Sequence, residues 1–106
     1  MKEIEVSELC EMLMDKQKKL DIFDVRSSHE VSHGSIPNSK HMPLHVLPSK
    51  LIELSDEYPI ILFCYLGARS AQACVYLQNA GFENVYTLRG GFKAWQASGL
   101  LEEVSC

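Results

Sequence analysis

Four cysteines, at positions 10, 64, 74 and 106, carry the strongest nucleophiles in this chain, and only one of them stands in an activating context. Cys64 follows the apolar run Ile60-Ile61-Leu62-Phe63 and opens the segment Cys64-Tyr65-Leu66-Gly67-Ala68-Arg69-Ser70. A free cysteine has a pKa of about 8.5, and a helix N-terminus with nearby cations lowers it to about 7 or below. Arg69 brings a fixed positive charge. Gly67 permits a tight turn with positive φ, so that successive N–H groups can converge on an anion. Ser70 reads as the N-cap of the helix that follows. A thiolate held by amides, an arginine and a helix dipole can attack an electron-poor sulfur, and the same groups can hold the anionic adduct. A cysteine at a strand end is by itself as well explained by packing. The Cys-x-x-Gly-x-Arg-Ser context turns the reading towards a nucleophile.

Other reactive residues carry weaker signals. Asp24 and Arg26 end an apolar stretch and either border the mouth of the site or form a structural ion pair. His29-Glu30-Val31-Ser32-His33 has the spacing of a zinc-protease helix, but Gly34 and Ile36-Pro37 leave no room for a helix that would align both imidazoles. His41 and His45 share that spacing with Pro43 between them. No metal or other cofactor is therefore expected. Cys74 falls on the same helical stripe as Ala71 and Leu77, which suggests packing, with a resolving thiol as the alternative. Cys10 reads as structural, Cys106 as part of a mobile tail, and Trp95 as a core anchor.

The 106 residues suit a single domain spanning 1–106, large enough to bury a core without metal or disulfide staples. The composition, 46% hydrophobic and 23% charged, is that of a globular protein. A net charge of -4 offers no basic face for nucleic acid. No apolar run reaches the roughly 18 residues of a membrane span, and the first residues carry no signal core. Irregular cysteine spacing argues against a zinc knuckle or a disulfide framework. A reducing cytoplasm is the expected setting, with the chain a monomer or a weak homodimer.

The elements that must position Cys64 alternate between strand and helix. Ile4 and Val6 suggest a short edge strand, and Ser7 caps a helix running to about Lys18. Residues 20–25 read as a strand, 26–38 as mostly loop, and 41–44 as a brief extended piece. A short helix near Pro48 is expected to turn Leu51, Ile52 and Leu54 inward. The continuous apolar run 60–63 fits a central parallel strand covered on both faces. A helix over 70–80 stops at Gly81. Val85, Tyr86 and Leu88 mark another strand, and a last helix follows Gly90-Gly91 and stops at Gly99. This alternation predicts an α/β fold with a mainly parallel sheet, and it leaves the strand order open. In such sheets ligands bind beyond the carboxyl ends of the strands, where Cys64 falls.

Segment 64–70 resembles the active-site loop of the rhodanese family. Asp24-Val25-Arg26 resembles that family's Asp-Val-Arg strand end, and residues 30–39 resemble its Glu-x-x-x-Gly-His-Ile-Pro-Gly-Ala segment. Leu88-Arg89-Gly90-Gly91-Phe92-Lys93-Ala94-Trp95 resembles its closing Leu-x-Gly-Gly-x-x-x-Trp signature. The resemblance implies a rhodanese-like three-layer sandwich and a sulfurtransferase. Cys64 would accept a sulfane sulfur from a small donor, hold it as a persulfide among the amides of Tyr65, Leu66, Gly67, Ala68, Arg69 and Ser70, and pass it to a thiol or a protein acceptor. Ser35 and Asn38 depart from the family's His and Gly, and Asn is the residue that best tolerates a positive φ in glycine's place. Tyr65 and Leu66 stand where many thiosulfate-using members carry a basic residue, which leaves room for a persulfide or polysulfide donor. Cysteine phosphatases and arsenate reductases, the alternative on a similar fold, have five residues between cysteine and arginine, against four here. A non-catalytic interaction module is the other alternative, and loss of the cysteine would be its mark.

Overall fold

The computed structural model describes residues 2–99. Five strands, β1 (Lys2–Ile4), β2 (Asp21–Asp24), β3 (Lys40–His41), β4 (Ile60–Phe63) and β5 (Val85–Leu88), form one sheet in the order β1-β5-β4-β2-β3. Every pairing is parallel. Cys106 and the rest of 100–106 lie outside the described residues.

Side-chain alternation along β4 explains the layering. Ile60 and Leu62 face one side, with Phe23, Ala73, Cys74 and Leu77. Ile61 and Phe63 face the other, with Leu9, Cys10, Leu88, Phe92 and Trp95. Helices α1 (Val6–Met14) and α5 (Gly91–Ser98) cover the second face, and α3 (Leu47–Lys50) and α4 (Ala68–Asn79) cover the first. The result is a three-layer α/β sandwich with a fully buried β4. Trp95 is fully buried, and its Nε1 has no partner among the described residues. That omission costs about 1–3 kcal/mol. Burying 150–250 Å² of indole at about 25 cal/mol per Å² returns roughly 4–6 kcal/mol, so burial wins.

Several boundaries differ from the sequence expectation. Helix α1 is capped by Glu5, not Ser7, through a reciprocal capping box with Glu8, and it ends at Met14 instead of near Lys18. The mostly irregular stretch 26–38 contains one short helix. Ser27 and Glu30 form a second capping box that starts α2 (Ser28–Val31). Ile52 is 92% exposed, because the chain changes from α3 to a 3-10 turn at Leu51–Glu53 and the inward direction passes to Leu51 and Leu54. Helix α4 ends as expected at Gly81. The Gly81 N–H reaches Gln78 O at 3.0 Å and the Phe82 N–H reaches Leu77 O at 3.0 Å, the paired bonds of a Schellman motif. Asn38 adopts a φ of 67° and is the only non-glycine with positive φ among the described residues.

Candidate active site

Strand β4 ends at Phe63, so Cys64 falls at the carboxyl edge of the sheet, one turn before α4. Its side chain is 1% exposed. Gly67, at φ 126°, turns the chain so sharply that its own N–H points back to Cys64 Sγ at 3.0 Å. A Cβ at Gly67 would meet nothing within 4 Å, so glycine is required there for its dihedral angle and not for space. Helix α4 therefore begins at Ala68 with Gly67 as N-cap, two residues earlier than the sequence suggests.

That shift changes the role of Ser70. It does not cap the helix; it lies in the first turn with no exposed surface. Its N–H approaches Cys64 Sγ at 3.4 Å, and its Oγ lies 3.6 Å from the same sulfur. Burial pushes the Cys64 thiol up. The Ser70 N–H and hydroxyl, followed by the Gly67 and Arg69 N–H groups, more than offset this, and the thiol sits below its ordinary range.

The guanidinium of Arg69 is turned away from a sole partnership with the sulfur. It forms a two-pronged ion pair with Glu30 of α2, Nη1 to Oε1 at 2.6 Å and Nη2 to Oε2 at 2.9 Å. Glu30 holds the arginine charged ahead of any contribution from Cys64. The arginine in turn, helped by Ser27, draws the Glu30 carboxyl down to about 2. Arg69 thus offers the thiolate its backbone amide first and its charge second. Glu30 stood in the quoted sequence motif, but nothing in its spacing linked it to Arg69.

The far side of the loop is clamped by α5. Phe92 N–H donates to Cys64 O at 2.8 Å and Lys93 N–H donates to Tyr65 O at 3.0 Å. Backbones approach this closely because position 91 has no Cβ; one built there would stand 2.6 Å from Cys64 O and closer still to Tyr65 O. Two of the otherwise unpaired amides at the start of α5 are satisfied in this way. Tyr65 and Leu66 leave their side chains on the surface, 39% and 62% exposed.

Asp24 and Arg26 form a buried ion pair. Arg26 donates from Nε to Asp24 Oδ1 at 2.9 Å and from Nη2 to Oδ2 at 2.8 Å, with the side chains 4% and 1% exposed. Arg26 also donates to Gly34 O at 2.6 Å and lies over the Phe92 ring, 4.3 Å from its centroid. Ser35, at the position of the family's histidine, donates to Asp24 Oδ2 at 2.7 Å. Asp24 is sealed below the surface, whereas Arg26 borders a cleft of about 430 Å³ with His29, Glu30, His33, Tyr65, Phe92 and Gln96.

Helix α2 has four residues and ends before His33, whose ring meets that of His29 edge to face at 4.9 Å and whose Nδ1 lies 3.0 Å from the His29 carbonyl oxygen. Among the described residues no group of three or more metal-ligating side chains comes together, and no helix is long and apolar enough to cross a membrane. Cys74 is fully buried and its thiol is pushed up by burial to about 12, so it stays protonated and packed. Cys10 is buried as well.

Known proteins share both the sequence pattern and the fold. The family model described as "Rhodanese-like domain" matches residues 5–98. A sulfurtransferase of Allochromatium vinosum is 37% identical over 98 residues, covering 92% of this chain and 91% of the relative. The thiosulfate sulfurtransferase GlpE of Stutzerimonas stutzeri is 40% identical over 75 residues, covering 71% and 69% respectively. The crystal structure of a rhodanese-like domain protein from Staphylococcus aureus superposes with a TM-score of 0.83 at 34% identity, covering 90% of this chain and 91% of that one.

Proposed function

The chain belongs to the rhodanese-like domain family and is a rhodanese-type sulfurtransferase, and from that premise we propose that Cys64 carries the transferred sulfur as a persulfide. One observation supports the reading above the others: two amides and a hydroxyl converge on a buried sulfur within a loop that places only four residues between Cys64 and Arg69. A thiolate is stabilised there, and so is the terminal sulfur of a persulfide anion.

With thiosulfate as donor, the Cys64 thiolate attacks the outer sulfur. A sulfur–sulfur bond forms on Sγ as the donor's own breaks, and the electron pair leaves with sulfite. An acceptor thiolate then attacks the terminal sulfur of the persulfide, and the bonding pair returns to Sγ. Charge and atoms balance in each half, so neither an oxidant nor a cofactor is called for. A low-molecular-weight persulfide or a polysulfide serves equally as donor, with a thiolate as its leaving group. Residues Tyr65 to Ser70 line the sulfur's path, Arg26 borders it, and Asp24 holds Arg26 in place. Cysteines 64 and 74, buried and without a disulfide, suit a reducing cytoplasm.

The test is an intact mass after incubation with thiosulfate or a low-molecular-weight persulfide. The wild type gains one sulfur atom and Cys64→Ser gains none. A wild type that takes up no sulfur from any sulfane donor overturns the proposal.

A further inference from the structure

Behind Cys64 lies a second buried hydroxyl, that of Thr87 on β5, 3% exposed. Strand β5 pairs with β4 so that Thr87 stands beside Leu62, and its Oγ1 comes within 2.6 Å of Ser70 Oγ. From this geometry we propose that Thr87 is a positioning residue for sulfur transfer, which orients the Ser70 hydroxyl so that its proton is given to the Cys64 sulfur when that sulfur becomes an anion. The inference rests on the reading of Cys64 as the nucleophile.

Counting protons fixes the direction of each bond. Each hydroxyl has one proton to donate and can accept two bonds. Ser70 Oγ is the hydrogen-bond partner shown for the Thr87 hydroxyl. If Ser70 donated to Thr87, the Thr87 proton would be buried without an acceptor, at a cost of about 1–3 kcal/mol. Thr87 therefore donates and Ser70 accepts. The proton of Ser70 then has two destinations, Gly67 O at 3.2 Å and Cys64 Sγ at 3.6 Å.

The ionisation state of the sulfur selects between them. As a thiol, Cys64 donates its own proton to Ser70 Oγ, and Ser70 donates to Gly67 O. All three groups are then satisfied. As a thiolate or a persulfide, the sulfur has no proton to give and accepts the one from Ser70. Gly67 O is not abandoned by this rotation, because the Ala71 N–H already donates to it at 3.0 Å. Thr87 donates to Ser70 in both states, which polarises the Ser70 hydroxyl and excludes the orientation in which its proton would point to β5. The chain of hydroxyls thus strengthens the bond made to the charged form.

The test reads ionisation of Cys64 directly, as the pH dependence of alkylation measured on the peptide that contains it. A hydrogen bond to a charged group corresponds to roughly one pKa unit or more, so Ser70→Ala is expected to raise the Cys64 pKa by about one unit. Thr87→Val, which keeps the shape and removes the hydroxyl, is expected to raise it by about half a unit, roughly a threefold loss of thiolate at neutral pH. Thr87→Ser is expected to restore the wild-type profile. In a Ser70→Ala background Thr87→Val should add nothing, since its effect passes through Ser70. Circular dichroism confirms folding, and Thr87→Ala replaces valine if the latter does not fold. A wild-type profile in folded Thr87→Val, or a shift that persists without the Ser70 hydroxyl, overturns the proposal. Alkylation does not depend on sulfur transfer, so its outcome is separate from the mass test of the persulfide.

Discussion

Gly91→Ala tests whether α5 sets the shape of the loop that carries Cys64. The new Cβ would stand closest to Tyr65 O and 2.6 Å from Cys64 O, whereas unstrained carbon–oxygen contacts lie at about 3.3–3.6 Å, so helix and loop must part by more than roughly 0.7–1 Å. That displacement weakens both clamping bonds, Phe92 N–H to Cys64 O at 2.8 Å and Lys93 N–H to Tyr65 O at 3.0 Å. Each bond contributes about 0.5–1.5 kcal/mol. Position 91 also has a φ of 64°, which costs an alanine a further 1–2 kcal/mol or so. The expected loss is about 2–5 kcal/mol, and at about 4–8 °C per kcal/mol Tm should fall by at least about 8 °C. Gly99→Ala is the control. Its φ of 72° carries the same dihedral penalty, but its Cβ would meet nothing within 4 Å. Scanning calorimetry of the two variants isolates the close approach, and Cys64 alkylation shows whether the loop has moved. If both variants melt at the same temperature and alkylate like wild type, the clamp is not what holds the loop.

Two other perturbations probe the ion pairs. Asp24→Asn leaves Arg26 buried without its counter-charge, and should cost about 3–5 kcal/mol, seen as a lower denaturant midpoint with an unchanged slope. Arg69→Ala should raise the Cys64 pKa by less than Ser70→Ala does, because the amide stays and the guanidinium is mainly engaged by Glu30. It should also cost about 1 kcal/mol of stability near neutral pH, since the pair with Glu30 is partly exposed. The Glu30 carboxyl is lowered from 4.5 to about 2, so this contribution is present above about pH 4.5 and is lost as the pH falls towards 2. Urea titrations of wild type and variant should therefore converge in acid; a gap that stays constant to pH 2 would refute the assignment.

Much of this protein was legible in one dimension. The apolar run before Cys64, the loop from Tyr65 to Ser70 and the alternation of strand and helix all depend on neighbours in sequence, and local physics acts over a few residues. Asn38 belongs to that group, since a positive φ at a turn is decided by the residue itself. Helix ends were less legible. Glu5 and Ser7 both make plausible caps, and only the reciprocal bonds between Glu5 and Glu8 decide between them. Ser70 was assigned to the right loop and the wrong bond, because the turn at Gly67 starts α4 two residues early and rotates that hydroxyl inward.

What the chain determined by itself, then, was the candidate nucleophile, the length of its loop and the class of fold. Tertiary structure decided what surrounds the Cys64 sulfur. Glu30, 39 residues before Arg69, captures the guanidinium and leaves the sulfur chiefly to amides and to Ser70. Thr87, 17 residues beyond Ser70, reaches that hydroxyl only because β5 lies next to β4. Strand order is set by which faces can be buried together, a property of the whole sheet, and no spacing within a single segment records it.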